Sequence, residues 1–93
     1  MENMRKEVIR LQSQVRDHLD TPRHPAAIRL NNEIQALEDD LQVGKNKHSI
    51  ASRIERIINI LDGEGKHAEI MDHHHLEMFE NKFEELRDRS RSL

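Results

Sequence analysis

Apolar residues return every three or four positions along most of the chain, a spacing that places them on one face of a helix. The first stripe predicts a helix over about residues 3–19, and the second predicts one over about residues 25–43. Their inward positions are Met4, Val8, Leu11 and Val15 in the first helix and Ala27, Leu30, Ile34, Leu37 and Leu41 in the second. Pro22 and Pro25 separate the two stripes, because proline disfavours helix at the preceding residue and suits the first turn of a new one.

Two further stripes fill the second half of the chain and predict helices over about residues 49–62 and 66–89. Their inward positions are Ile50, Ile54, Ile57, Ile58 and Leu61 in the third helix and Ala68, Met71, His75, Phe79, Phe83 and Leu86 in the fourth. Gly44 is expected to end the second helix in a left-handed C-cap, and Ser49 is a plausible N-cap of the third. Gly63 and Gly65 mark the break before the fourth helix. The charged segment 90–93 is expected to fray.

Four amphipathic helices with short connections predict an all-α fold. We expect one domain over residues 1–93, a small bundle of three to four helices arranged as two antiparallel hairpins with coiled-coil-like packing. Three glycines and two prolines are too few for the many turns of an all-β domain.

The chain has little material for a core, which favours association. Hydrophobic residues make up 34% of it, and Phe79 and Phe83 are its only aromatic residues. A chain of this length buries only about 60% of its unfolded surface, and a dimer buries more without adding residues. The fourth predicted helix also outruns the third, so that its second half lacks cover. We therefore predict a homodimer or higher homo-oligomer whose interface comprises Met71, His75, Met78, Phe79, Phe83 and Leu86.

Cationic residues gather around the start of the third predicted helix: Lys45, Lys47, His48, Arg53 and Arg56. A helix N-terminus favours anions, so these residues are a candidate contact for an anion or a nucleic acid. The net charge of −3 does not suit a general nucleic-acid binder. Acidic residues at 38–40 also argue against a helix-turn-helix, since they lie where the first helix of that motif approaches DNA.

The seven histidines raise the question of a metal site or a pH response. Successive helical residues are rotated by about 100°, so His73, His74 and the next residue cannot converge on one ion. Glu69, His73 and Glu77 share one helix face and are the best candidate ligands, yet one helix rarely completes a site. The sequence therefore predicts no metal and no cofactor. A metal- or pH-responsive sensor remains a weaker alternative, in which His75 is buried and neutral between apolar neighbours.

The sequence contains no cysteine, no glycine-rich phosphate loop and no nucleophile elbow, so we expect no enzymatic activity. No apolar run reaches the length of a membrane span, and charges interrupt the first residues where a signal peptide would be apolar. We expect a cytoplasmic protein without membrane contact. The leading hypothesis is a helical interaction module that self-associates and docks a protein partner. The alternative is a nucleic-acid-associated regulator that uses the cationic residues of the third helix.

Overall fold

The computed structural model describes residues 2–92, with Glu2 described by its backbone alone. The chain forms four long helices and one short one: α1 Glu2–His18, α2 Pro25–Val43, α3 Lys47–Asp62, α4 Glu64–His67 and α5 His73–Arg91. The predicted all-α class and the small helical bundle are confirmed. Over residues 2–92, no helix combines the length and the apolar character that crossing a membrane requires.

Side chains and one glycine fix where the long helices begin and end. The Nδ1 atom of His24 accepts a hydrogen bond from the backbone N–H of Ala26 at the start of α2, at 3.0 Å. At the other end of α2, Gly44 has a φ of 74° and closes the helix in the left-handed conformation. The N-cap of α3 is Asn46, whose Oδ1 accepts from the backbone N–H of Ser49 at 2.9 Å. Helix α3 therefore begins two residues before the predicted position, and Ser49 lies within it.

The predicted fourth helix over residues 66–89 is wrong in its first part. The chain makes the single turn α4, leaves the helical conformation at Glu69 with a φ of 51°, and resumes as α5 only at His73. Asp72 caps α5, because its Oδ1 accepts a hydrogen bond from the backbone N–H of His75 at 3.0 Å. The break turns Ile70 and Met71 into the core, where both are buried. The free energy gained by burying these two side chains outweighs the free energy that a longer helix would provide.

The long helices pack in chain order, with α1 against α2, α2 against α3, α3 against α5 and α5 back against α1. Up-down-up-down packing gives an elongated bundle of 33 × 18 × 17 Å. Polar side chains link each pair of neighbours at its edge. These links are Gln12–Gln35, Arg53–Glu33, Arg87–Glu55 and Arg89–Glu7.

Aliphatic side chains and two phenylalanines form one continuous core. Phe79 and Phe83 have no exposed surface. The loop between α4 and α5 covers the end of the bundle where α1 passes into α2, since the backbone N–H of Asp20 donates to the carbonyl oxygen of Ile70 at 2.8 Å. The core is thus enclosed within a single chain.

Helix α5 extends two residues further than the sequence predicts. Helix α5 continues to Arg91, and Ser90 is fully buried, with its Oγ donating to the carbonyl oxygen of Arg87 at 2.7 Å. Positions 90 and 91, predicted to fray, are helical in the structure, and packing of Ser90 favours this last turn. Residue 93 lies outside the described residues.

Glu38 is the ionisable side chain that the described part of the bundle buries most, with 8% of its surface exposed. Its Oε2 atom is buried without a hydrogen-bond partner. Burial raises the pKa of this carboxyl group, and the neighbouring charge of Asp39 raises it further, while Arg16 and Arg5 of α1 oppose the change. The ionised form of Glu38 therefore destabilises the fold at neutral pH.

We expect Glu38→Gln to raise the free energy of unfolding by about 1 kcal/mol at pH 7. A folded-state pKa above the ordinary value of 4.5 means that the folded wild type holds the proton more tightly than the unfolded chain. Wild-type stability must then fall as the pH rises from the ordinary pKa of 4.5 through the higher pKa of the folded state. The advantage of the variant should therefore be small at pH 4 and full at pH 7. Urea unfolding at the two pH values measures this difference. Asp39→Asn makes the same charge change at an exposed position and should shift stability less; an equal gain from both variants would contradict the assignment.

Candidate functional site

The predicted cationic residues lie at the end of the bundle where α2 passes into α3. Between these two helices is a surface groove of about 220 Å³, which we call the basic groove; it is lined by Asp40, Lys45, Ser49, Ser52, Arg53 and Arg56. Three of the five predicted residues therefore come together. Lys47 and His48 are exposed in the first turn of α3 and lie outside the groove.

Arg53 lines the basic groove but is not a free cation, because two carboxylates bind it. Its Nη1 atom lies 3.0 Å from Oε2 of Glu33, and its Nε atom lies 3.1 Å from Oδ2 of Asp40. Hydrogen bonds to the two carboxylates raise the pKa of the guanidinium, and only 25% of the side chain is exposed. Arg53 thus neutralises the acid in the groove and is itself occupied.

Lys45 and Arg56 carry the available positive charge of the groove. Both side chains are exposed, and neither forms an ion pair within residues 2–92. The exposed hydroxyl groups of Ser49 and Ser52 lie along the same face of α3, between the two cations. Two cations with two hydroxyl donors can bind an oxyanion such as a carboxylate or a phosphate.

A larger groove of about 320 Å³ runs between α1 and α5, and we call it the α1–α5 groove. Its lining carries charges of both signs and two leucines: Glu7, Arg10, Leu11, Gln14, Lys82, Glu85, Leu86 and Arg89. Nη2 of Arg89 lies 2.6 Å from Oε2 of Glu7 and so joins the two helices across it. Glu7 and Glu85 offset two of its three positive charges, so its positive charge is weaker than that of the basic groove.

The structure places most of the predicted oligomer interface on the last helix in the core of a single chain. Met71, Phe79, Phe83 and Leu86 are buried in the core of their own chain, and only His75 and Met78 are partly exposed. The length mismatch behind the prediction shrinks to three residues, because α3 has 16 residues and α5 has 19, or about 24 and 28 Å. A dimer built on these side chains would require the core to open. Association through another surface stays a prediction.

The candidate metal ligands Glu69, His73 and Glu77 do not come together. Glu69 lies in the break before α5, so the three residues do not share a helix face. Throughout residues 2–92, no group of three or more histidine and acidic side chains is placed to hold a metal ion.

The sequence predicts that His75 is buried between apolar neighbours. In the structure it lies instead in the first turn of α5, beside Asp72. Its side chain is 30% exposed, and its Nδ1 atom lies 2.5 Å from Oδ2 of Asp72. The backbone N–H and the ring of His75 together lower the pKa of the Asp72 carboxyl group. The ring of His18, at the end of α1, contacts the His75 ring with a centroid distance of 3.9 Å. Asp72 is recognisable as an N-cap residue, but nothing in the local pattern pairs His18 with His75.

No protein-family model, curated protein or solved structure matches this chain. The geometry and the charge of its surfaces are therefore the basis for proposing a function. The basic groove is the surface that combines a concave shape with one predominant sign of available charge.

Proposed function

We propose that this protein is a small non-enzymatic interaction module of the cytoplasm that docks a protein partner through the basic groove. The partner supplies a short acidic segment. One observation carries the proposal: Lys45 and Arg56 line the groove without an acidic partner in residues 2–92, while Asp40 is already bound by Arg53. The carboxylates of the partner pair with Lys45 and Arg56, which no acidic side chain does within residues 2–92.

The extent of the charged surface favours an acidic peptide over a nucleic acid. Duplex DNA presents one negative charge per about 1.7 Å, so it needs a long cationic face. Here the acids Glu33 and Asp40 adjoin the cations, and the net charge is −3. A short peptide contacts the groove alone, where Arg53 already pairs with Glu33 and Asp40. A nucleic acid is the second candidate, because the exposed Lys47 and His48 extend the cationic surface along the start of α3.

Self-association, the other part of the predicted function, has little support from the described surface. Its large exposed apolar side chains are Ile9, Ile28 and Val43. Ile28 and Val43 lie near opposite ends of α2, about 22 Å apart. Scattered apolar residues are normal on a monomer and do not form an interface. Docking of a partner is therefore the part of the function that we propose.

Binding of a fluorescently labelled peptide of ten glutamates to the full chain tests the proposal by anisotropy. We expect Lys45→Glu with Arg56→Glu to weaken binding by at least about tenfold, since it replaces attraction by repulsion in the groove. Arg10→Glu with Lys82→Glu is the matched control, because it makes the same charge change in the α1–α5 groove. The control should retain most of the affinity.

Equal losses in the two double variants would contradict the proposal, because net charge alone would then explain binding. A 20-base-pair DNA duplex serves as competitor in the same assay. Tighter binding of the duplex, with an affinity that falls steeply as salt increases, would favour the nucleic-acid candidate instead.

A further inference from the structure

Two histidines from different helices meet at the end of the bundle opposite the basic groove. His18 ends α1 and His75 lies in the first turn of α5. Their ring centroids are 3.9 Å apart and the ring planes cross at 85°. The backbone hydrogen bond from Asp20 to Ile70 holds the adjoining segments together, so folding brings the two rings into contact.

Asp72 fixes one of the two imidazoles. A carboxylate only accepts hydrogen bonds, so the Nδ1 atom of His75 that lies 2.5 Å from it carries the proton. In the neutral ring this leaves Nε2 with a free lone pair. The same carboxylate–histidine arrangement orients imidazoles that bind metal ions in proteins. Partial exposure of His75 gives an ion access from solvent.

We propose that His18 and His75 form a two-histidine site for a divalent first-row transition-metal ion such as Zn²⁺, with Asp72 orienting His75. Imidazole nitrogen is a preferred ligand of these ions. Binding requires one nitrogen of each ring at the usual Zn–N distance of about 2.0–2.1 Å. Because Asp72 holds the His75 ring, it is the His18 ring that turns to meet the ion. The His74 ring lies 5.7 Å from the His75 ring. Within residues 2–92, however, no group of three or more ligand side chains is placed to hold an ion, so water completes the coordination. The site is independent of the docking function proposed above.

An ion at this site links α1 to α5 and binds only the folded chain. The consecutive histidines at 73–75 cannot converge on one ion in the folded helix but can do so in the unfolded chain, so an ion held by them alone does not stabilise the fold. A rise in the melting temperature therefore reports the site that folding assembles, and separates it from adventitious binding to the histidine run.

Thermal unfolding of the full chain at pH 7.5, with Zn²⁺, with Mg²⁺ and with a chelator, tests the site. We expect Zn²⁺ at about ten times its dissociation constant to raise the melting temperature by roughly 5–10 °C, since it stabilises the folded state alone. Mg²⁺, which prefers oxygen ligands, should have no effect. His18→Asn should abolish the rise, whereas the control His73→Asn with His74→Asn should keep it.

Absence of a rise in the wild type, or a rise that survives in His18→Asn, would overturn the site. The imidazole NMR signals of the wild type give a second measurement that does not depend on how well a variant folds. Zn²⁺ should shift or broaden the signals of His18 and His75 first. Perturbation confined to His73 and His74 would equally overturn the proposal.

Discussion

Phe83→Ala is expected to lower the free energy of unfolding by about 3–5 kcal/mol. Phe83 has no exposed surface in the single chain, and with Phe79 it supplies all of the aromatic volume of the core. The truncation removes buried apolar surface and leaves a cavity that the surrounding aliphatic side chains only partly fill. Because small domains have a total stability of about 5–15 kcal/mol, the variant should be close to unfolding. Urea denaturation followed by circular dichroism measures the loss.

Met78→Ala is the control for Phe83→Ala, since Met78 lies on the same helix and is only partly buried. Its cost should be markedly smaller. The unfolding midpoint of the wild type should not depend on protein concentration, because these core residues already pack within one chain. A midpoint that rises with concentration would show self-association, since subunit association stabilises by mass action.

Gly65→Ala is expected to cost about 1–3 kcal/mol, the usual range for overpacking a well-filled site. A Cβ atom at this position would lie 2.8 Å from the carbonyl oxygen of Ile60 and 3.2 Å from Cδ1 of Ile70. The carbonyl belongs to α3 and cannot move away without disturbing that helix. The clash therefore pushes α4 outward and loosens the loop that covers the end of the core. Chemical denaturation of the variant measures the cost.

Gly44 provides a matched control with a different physical cause. Its φ of 74° is left-handed, but no atom lies within 4 Å of a Cβ built there. Gly44→Ala should cost about 1–2 kcal/mol through backbone strain alone. Asparagine tolerates this conformation, so Gly44→Asn should recover much of the loss while Gly65→Asn should not. If Gly65→Ala proved as stable as the wild type, α4 would have to pack less tightly on α3 than the distances indicate.

The helices could be predicted from the sequence because the period of an amphipathic helix is a local property. The stripes beginning at Met4, Ala27 and Ile50 each continue without interruption to a proline or glycine signal. The break at residues 68–72 could not be predicted in the same way. Ala68, Met71 and His75 have helical spacing, and it is the tertiary burial of Ile70 and Met71 that makes the break favourable.

The same distinction applies to the candidate sites. Lys45 and Arg56 are close in sequence, and one loop with one helix brings them to a common surface. The pairing of Arg53 with Glu33 depends on how α2 packs against α3, which the charge pattern does not specify. Contact between His18 and His75 depends on closure of the whole bundle, so the local spacing of residues in the sequence does not indicate it.

The ion pair between Glu7 and Arg89, across the α1–α5 groove, joins positions that are 82 residues apart. All other helix neighbours are consecutive or nearly so along the chain, which gives the fold a low contact order and favours folding within microseconds to milliseconds. Closing a long loop carries an entropic cost that grows by only about 0.6 kcal/mol with each doubling of its length. Contacts between α1 and α5 must nevertheless wait until the intervening helices have packed. Formation of this seam is therefore expected to complete folding, and its opening to begin the exposure of the core.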